Sequence, residues 1–508
     1  MKVCLISPGW ISTKSDVESM FSRCGLPLPL GLGYLASYAE SFGFAGIQIM
    51  DLLVSGWDAR TEIDPERVYI GLTFDELRKR LEAIRPDVVG ISCTFTSQAE
   101  SLYLIADSVK SCNPKIKVIA GGAHPSSDPV SCLREKSIDM VVRGEGEIPF
   151  LELLRNGFQE DGPSVKGVCF KQGGESIFSK DGGSVKNLDE IPYPAYHKFD
   201  MGRYFEANEK GLGQRGGYLR TFSIISSRGC PYQCVFCSIH NICGSKWRGR
   251  SPANVLGEID LLVKEYGARH FLFEDDNLTM DLARAEEIFQ EMAKRHNSIS
   301  WSAPNGIRAD RMTEGLARAM RDSGCISVSL GIESGDQEFL NSAIKKKLDL
   351  KEVEKTAEIL HEFGITVIGF FILGIPGETE NTIKTSVSFA KRLSRKGLVP
   401  HFFIVTPLPG TSLYEISKRE KLFVKDNPSP ADYFRATYQD PMMRPTGMSM
   451  ERLLQWRKKA VISSMLNLAV FRPLVFIKYM SGNNTSNLKL IFFGFKRKIN
   501  MALNYLWN

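Results

Sequence analysis

Two successive series of short apolar runs, each alternating with helical segments, constrain the fold of this 508-residue chain more than any other feature. Up to about residue 155 the runs Val3–Ser7, Ile47–Asp51, Val88–Ser92, Val118–Ala120 and Met140–Val142 read as strands. Their spacing predicts a five-stranded, doubly wound α/β domain over residues 1–155. Ligands of such sheets sit at the carboxyl ends of the strands. Several runs lead there into loops of small residues: Ser92-Cys93-Thr94, Gly121-Gly122-Ala123-His124-Pro125 and Arg143-Gly144-Glu145-Gly146-Glu147. Glycine in such loops lets the backbone approach a bulky ligand, although each loop alone is also an ordinary α/β turn. A second series begins near residue 216, with strand-like runs at Phe222–Ser226, His270–Glu274, Ser300–Pro304, Ser327–Ile332, Thr366–Leu373 and Phe402–Val405. Residues 156–215 between the two are rich in Gly, Ser, Lys and Asp and close on the Pro-rich stretch Leu188–Ala195, the composition of a connector.

The second series opens on a metal-ligand pattern. The loop after its first strand carries Cys230, Cys234 and Cys237 in the run Arg-Gly-Cys-Pro-Tyr-Gln-Cys-Val-Phe-Cys. With 11 Cys in the chain, a Cys-x3-Cys-x2-Cys spacing arises by chance in about 1 in 200 such sequences. Iron–sulfur clusters are normally held by four thiolates, so three on one loop leave one iron of a cubane cluster open to another molecule. A zinc knuckle or three buried thiols are the alternatives.

With Phe236 directly before the third cysteine, the run resembles the radical S-adenosylmethionine (SAM) superfamily. The resemblance implies a [4Fe–4S] cluster whose open iron chelates the amino and carboxylate groups of SAM, and a partial (β/α)6 barrel over residues 216–415. It also implies an external electron donor of flavodoxin or ferredoxin type, whose electron breaks a carbon–sulfur bond of SAM to leave a 5'-deoxyadenosyl radical. Glu274, Asp275 and Asp276, at the end of the second strand, are then candidates for the SAM amino group. A literal Gly-Gly-Glu is absent there, and solvated or helix-capping acids are the alternative. Arg308 is a candidate for the SAM carboxylate or for a surface ion pair. Glu333 and Ser334, in Leu330-Gly-Ile-Glu-Ser-Gly335, match the segment near the ribose and methionine. Gly369 and Gly374 belong to Gly369–Glu378, which resembles the fifth-strand motif packed on adenine. Arg248 and Arg250 follow the cysteine loop as anion-binding or helix-capping candidates.

The N-terminal loops, together with Pro29-Leu-Gly-Leu-Gly-Tyr-Leu-Ala-Ser-Tyr38, resemble the cobalamin-binding domain that precedes many radical SAM domains. Ser92, Thr94, Gly121, Gly122, His124, Gly144 and Glu145 are the candidates for cobalamin contact. The Asp-x-His-x-x-Gly signature of the wider cobalamin group is absent, which implies a lower face without a His ligand; His124 remains a candidate for the corrin or for a structural role. The resemblance spans roughly residues 1–415. It implies a cobalamin-dependent radical SAM methyltransferase acting on an unactivated carbon, with an oxidative cyclase or ring-rearranging enzyme using the same cofactors as the alternative. A cobalamin sensor would have no use for the cysteine triad.

The net charge of +6 is uneven. From Arg452 onward there are 10 Lys or Arg and no acid, while the preceding residues carry 54 basic and 58 acidic side chains. Residues 416–508 read as a mainly helical region in which Ala460–Phe471, Pro473–Ile477 and Leu490–Phe493 each stop short of the ~20 residues of a membrane span. Basic residues beside apolar ones suit an anionic membrane surface and a lipid-like substrate; a helical domain packed on the catalytic core suits them as well. No recognised RNA-binding motif accompanies the basic tail, so a nucleic-acid partner is not expected. The N-terminal run Met-Lys-Val-Cys-Leu-Ile-Ser-Pro lacks a signal-peptide pattern, and scattered cysteines in odd number suit a reducing cytoplasm.

Overall fold

The computed structural model describes every residue except 16, 18–20, 22–24, 159–164, 173–174, 180–181, 211–219, 437–439 and 481–508. The chain divides into two units, one made of Met1–Gly213 with Ser238–Arg248 and Ser429–Phe434, the other of Gln214–Cys237, Gly249–Pro428 and Arg435–Asn508.

In the first unit, strands β1 (Val3–Ser7), β2 (Ile47–Asp51), β3 (Val88–Ser92), β4 (Lys117–Gly121) and β5 (Met140–Val142) pair in parallel in the order 2-1-3-4-5. This is the doubly wound arrangement expected from the apolar runs, and its order reverses between β1 and β3. Alternate side chains serve opposite faces. Cys4, Ile6, Val89, Ile91, Val118 and Ala120 pack with Leu102, Ile105, Ala106 and Val109 of helix Ala99–Cys112. Val3, Leu5, Val88, Ile119 and Met140 pack with Leu32, Ala36 and Ala39 of helix Leu30–Ser41 and with Phe150, Leu153 and Leu154 of helix Glu147–Arg155. Full burial of each large aliphatic side chain contributes about 1.5–3 kcal/mol.

Two findings correct the reading of residues 156–215. Strands β6 (Val168–Gln172) and β7 (Glu175–Phe178) add to the sheet beyond β5, both antiparallel, so this stretch begins as sheet edge. Val168, Cys169 and Phe170 are buried, and the exposed positions fall on the outermost strand, Glu175–Phe178. The Pro-rich segment then packs on helix Leu30–Ser41. Ala195 N–H donates to Gly33 O at 3.0 Å, and a Cβ at Gly33 would lie 2.9 Å from Pro194. A small antiparallel sheet of Trp10–Thr13, Arg67–Ile70 and Arg60–Glu62, which the apolar pattern did not reveal, completes the unit.

In the second unit six strands run parallel in sequential order: β8 (Thr221–Ile224), β9 (His270–Phe273), β10 (Ser300–Ile307), β11 (Cys325–Glu333), β12 (Thr366–Leu373) and β13 (Leu398–Ile404). Because β8 and β13 are the two edges, the sheet is a partial barrel. Pro400 lies within β13, which pairs with β12 on one side, an edge position where a missing N–H is tolerated. The crossover helices have sharp ends. Ser251 caps helix Pro252–Tyr266 with Pro252 in its first turn, and Gly267 at φ 65° stops it. Phe289 of helix Leu282–Arg295 stacks on Trp301 with centroids 4.4 Å apart.

Helix Met450–Phe471 packs on β13 and on helix Glu380–Arg395, burying Leu453, Trp456, Ala460 and Leu468. Among the described residues no single helix is long and apolar enough to cross a membrane, but Met450–Phe471 and Pro473–Met480, bent by 119°, satisfy the length and composition of a span together. Leu466, Val470 and Leu474 on this pair are 62%, 71% and 80% exposed. The run Leu490–Phe493 lies outside the described residues.

Candidate active site

Cys230, Cys234 and Cys237 are half-buried thiols on the loop that leaves β8. The loop is fastened at several points. Val235, buried between the second and third cysteines, donates its N–H to Ile344 O at 3.1 Å and accepts from Leu413 N–H at 2.8 Å. Cys237 N–H turns back onto Cys234 O at 3.1 Å. Gly229, at φ 85°, donates to Asp276 Oδ2 at 3.2 Å. Phe236 is half-buried beside Val235. Among the described residues no three His, Cys, Asp or Glu side chains converge on a single ion; a cubane cluster makes a different demand, with thiolates on separate irons. Burial pushes the Cys234 thiol up, while the Lys346 and Arg308 cations pull it back toward the thiolate that iron requires. An anchored loop with three accessible thiols and nearby cations fits an iron–sulfur cluster.

The three acids after β9 take different roles. Asp275 is 1% exposed and accepts from Ser226 N–H at 3.1 Å, Ser226 Oγ at 2.7 Å and Ser227 Oγ at 2.5 Å. Burial pushes its carboxyl up, against those hydrogen bonds and Arg284. Asp275 therefore ties down the segment leading to the cysteines and is not presented to a ligand; Asp276 holds Gly229. Glu274 is half-buried at the strand end, with Oε1 3.4 Å from Ser223 Oγ and its carbonyl held by Asn305 Nδ2 at 3.1 Å, and Asp276 is exposed.

Other expectations require correction. Arg308 pairs twice with Asp310, at 2.9 and 2.7 Å, and donates to the carbonyls of Lys346 and Lys347 at 3.3 and 2.9 Å, which occupies four of the five guanidinium N–H groups. It also lies 3.5 Å over the ring of Tyr232 in the cysteine loop, so it is a brace for that loop. Ser334 is fully buried, 3.2 Å from Ser386 Oγ and accepting from Asp336 N–H. A Cβ at Gly369 would lie 2.7 Å from Leu398 and 2.8 Å from Ile332, so that glycine serves strand packing. Gly374, at φ 92°, forms a turn closed by its N–H to Glu378 Oε2 at 2.5 Å. Arg250 is consumed by Glu258 at 2.5 Å and Ile225 O at 3.0 Å.

Glu333 is held in a left-handed conformation at φ 68° at the end of β11, and its Oε1 receives Lys346 Nζ at 2.7 Å. Sequence reasoning missed Lys346, and it missed Tyr232. The lysine lies in a Lys345-Lys346-Lys347 run typical of a solvated surface; Lys345 and Lys347 are indeed exposed, and only the middle side chain turns inward.

In the first unit the expected cobalamin residues gather at the carboxyl ends of β3, β4 and β5. Ser92 Oγ donates to Ile6 O at 3.5 Å, beside the point where the strand order reverses. Thr94 and Gly122 are exposed, and nothing lies within 4 Å of a Cβ built on Gly121. Gly122 has φ 105°, and a Cβ there would lie 2.7 Å from Cys93 O. Gly144, at φ 76°, is fixed by Ser126 Oγ at 2.9 Å. This open, small-residue edge fits a bulky ring system received by backbone. Two candidates point elsewhere. His124 is 3% exposed, with Nε2 3.3 Å from Tyr103 Oη, and burial pushes its pKa down to about 4; it is an internal, neutral histidine. Glu145 forms a buried pair with Arg248, which also donates to Val185 O at 2.6 Å. That pair anchors Ser238–Arg248, the segment after the cysteines, and removes both residues from ligand contact.

The B12 binding domain family matches residues 23–154 and the Radical SAM superfamily matches residues 224–390. An uncharacterized methyltransferase of Pyrococcus horikoshii is 33% identical over 485 residues, covering 94% of each chain. The cytidylyl-2-hydroxyethylphosphonate methyltransferase of Streptomyces wedmorensis is 31% identical over 483 residues, covering 88% of this chain and 86% of the relative. The radical SAM methyltransferase TsrM of Kitasatospora setae, solved with tryptophan substrate and a SAM analogue, shares the fold with a TM-score of 0.67 over 98% of this chain and 99% of its own, at 17% identity. With two domain matches in the order the fold displays and a third of its residues shared along nearly the whole of a relative, the chain belongs to the cobalamin-dependent radical SAM enzymes of the methyltransferase type, whose cofactors are a [4Fe–4S] cluster, SAM and cobalamin.

Proposed function

We propose that this enzyme methylates a carbon of a small-molecule substrate, and that Cys230, Cys234 and Cys237 are its cluster ligands. The observation that carries the reading is the fastened three-thiol loop at the end of the first strand of a six-stranded parallel half-barrel, in a chain whose other sheet ends in an open glycine edge. When bound, the cofactors supply a hydrogen-abstracting radical and a methyl carrier. The protein's own work is placement and shielding. Asp275, Asp276, Val235 and Arg308 hold the cysteine loop at fixed points. Glu274, half-buried at the strand end, and exposed Asp276 are the acids placed to accept hydrogen bonds from the SAM ammonium. Phe236 and the segment Gly369–Glu378 border the space for the rest of SAM. Ser92, Thr94, Gly121, Gly122 and Gly144 offer the surface that receives cobalamin, with no histidine ligand from His124. Radical chemistry in a shielded site needs no nucleophile or general base on the chain.

A flavodoxin- or ferredoxin-type protein in a reducing cytoplasm is the proposed electron source. For the C-terminal helices we read a surface contact with anionic membrane, on the strength of exposed Leu466, Val470 and Leu474 in a segment with no acid after Glu451. A lipid-like substrate would follow. Co-sedimentation with anionic but not neutral vesicles is expected, and equal recovery in both supernatants would remove this part of the reading.

The catalytic proposal is tested by anaerobic reconstitution with iron, sulfide and cobalamin, followed by SAM and reductant. S-adenosylhomocysteine that depends on cobalamin, formed together with 5'-deoxyadenosine, is the expected result. 5'-Deoxyadenosine alone would assign the enzyme to the cyclase or rearrangement class.

A further inference from the structure

We propose that Lys346 is an electrostatic positioning residue of the cluster site, a buried ammonium that, with Glu333, sets the reduction potential of the iron–sulfur cluster; the inference rests on the cysteine assignment above. Three independent features bring this side chain to the site. The segment that carries it is fastened to the cysteine loop, since Val235 N–H donates to Ile344 O at 3.1 Å, two residues before Lys346. Arg308 joins the same two elements from another side, stacked on Tyr232 and donating to Lys346 O at 3.3 Å. The pair itself is built against Gly331 of β11, where a Cβ would lie 2.7 Å from both Glu333 Oε1 and Lys346 Nζ. A side chain at that position would displace the charged ends of both residues from where they meet.

The backbone is strained to present them. Lys345, Lys347 and Glu333 are non-glycine residues at φ 60°, 52° and 68°. Left-handed backbone at such residues costs on the order of 1–3 kcal/mol each and persists where the surroundings over-determine it, commonly at functional sites. A surface lysine run would need none of this. The side chains of Lys346 and Glu333 are 11% and 7% exposed, so solvent screens them weakly. The charges felt by Cys234 include Lys346 and Glu333 with opposite sign.

A fixed cation near a cluster favours its more negative, reduced state, and a fixed anion disfavours it; net charge around the cluster is one determinant of its potential. Lys346 and Glu333 therefore act in opposite directions. The discriminating experiment is an EPR-monitored redox titration of the reconstituted protein and of K346M, K346R and E333Q, each with iron content measured. K346M is expected to shift the potential to more negative values and E333Q to more positive values, with K346R near wild type. A merely structural pair would perturb both variants in the same direction or leave the potential unmoved, and either result at full iron content overturns the proposal. So would a K346R protein that behaves like K346M. If K346M fails to load iron, E333Q still decides the sign. A wild-type protein that does not take up about four iron atoms per chain would instead refute the cysteine assignment itself.

Discussion

The carboxyl ends of the two sheets are built on opposite plans. In the N-terminal unit the edge over β3, β4 and β5 is made of small residues, with open space over Gly121, a left-handed Gly122 and exposed Thr94. The two large polar candidates beside it, His124 and Glu145, face inward. In the half-barrel the corresponding ends are crowded with fixed charge: Asp275 on the serines before the cysteine loop, Arg308 on Tyr232 and Asp310, Glu333 on Lys346. A large ring system can be received by backbone and shape, and side chains would only obstruct it. A cluster with one open iron must have its ligand loop held rigidly and its charge balanced, which requires buried polar networks.

The contrast can be broken in order of expected effect. Cys234→Ala should abolish both stable cluster loading and formation of 5'-deoxyadenosine, a loss beyond the about 10–100-fold typical of removing a residue that only orients a metal ligand. Full iron content with SAM cleavage would refute the assignment. Arg248→Met should take the guanidinium from buried Glu145 and lower unfolding stability by about 3–5 kcal/mol, measured by denaturant unfolding; an unchanged midpoint would deny the pair its anchoring role. Asp275→Asn removes charge from a carboxylate with three donors. It should destabilise by about 1.5–3 kcal/mol and reduce iron loading, although the cysteines are intact. If stability falls while loading is unaffected, Asp275 does not position the loop.

A purely pH-dependent effect concerns Glu378, which closes the Gly374 turn. Burial pushes its carboxyl up from 4.5 to about 8, only partly offset by the Gly374 N–H. The folded protein thus keeps a proton that the unfolded chain releases, so this group's contribution to stability is full below the unfolded pKa and declines as pH rises toward 8. Glu378→Gln carries no such loss. The difference in unfolding free energy between wild type and E378Q should move in favour of the variant between about pH 5 and about pH 8; a difference independent of pH would show that Glu378 is ionised in the folded state.

Much of this architecture was legible in the chain because parallel strands buried on both faces are continuous apolar runs. Val3–Ser7, Val88–Ser92 and Thr366–Leu373 match their strands end to end. The missed strands are the antiparallel ones. Val168–Gln172 and Glu175–Phe178 lie at an antiparallel edge, and β13 begins earlier than expected because an edge position accepts Pro400. In the site, the Cys-x3-Cys-x2-Cys spacing was readable because all three residues lie on one short loop. That Asp275 alone of the three acids turns inward was not, since consecutive residues at a strand end diverge according to partners such as Ser226 and Gly229 that lie some 50 positions away. Lys346 was hidden for the same reason. A run of three lysines is usually solvated, and only the tertiary placement of Glu333 turns one of them inward.

The central claim is that three cysteines hold the cluster and leave one iron for SAM. The most direct test is the EPR spectrum of the dithionite-reduced, reconstituted protein recorded before and after addition of SAM. A change in g-values on saturation with SAM is the predicted result, because an iron without a protein ligand would acquire a new one. A fully loaded cluster whose spectrum does not respond to SAM would contradict the account.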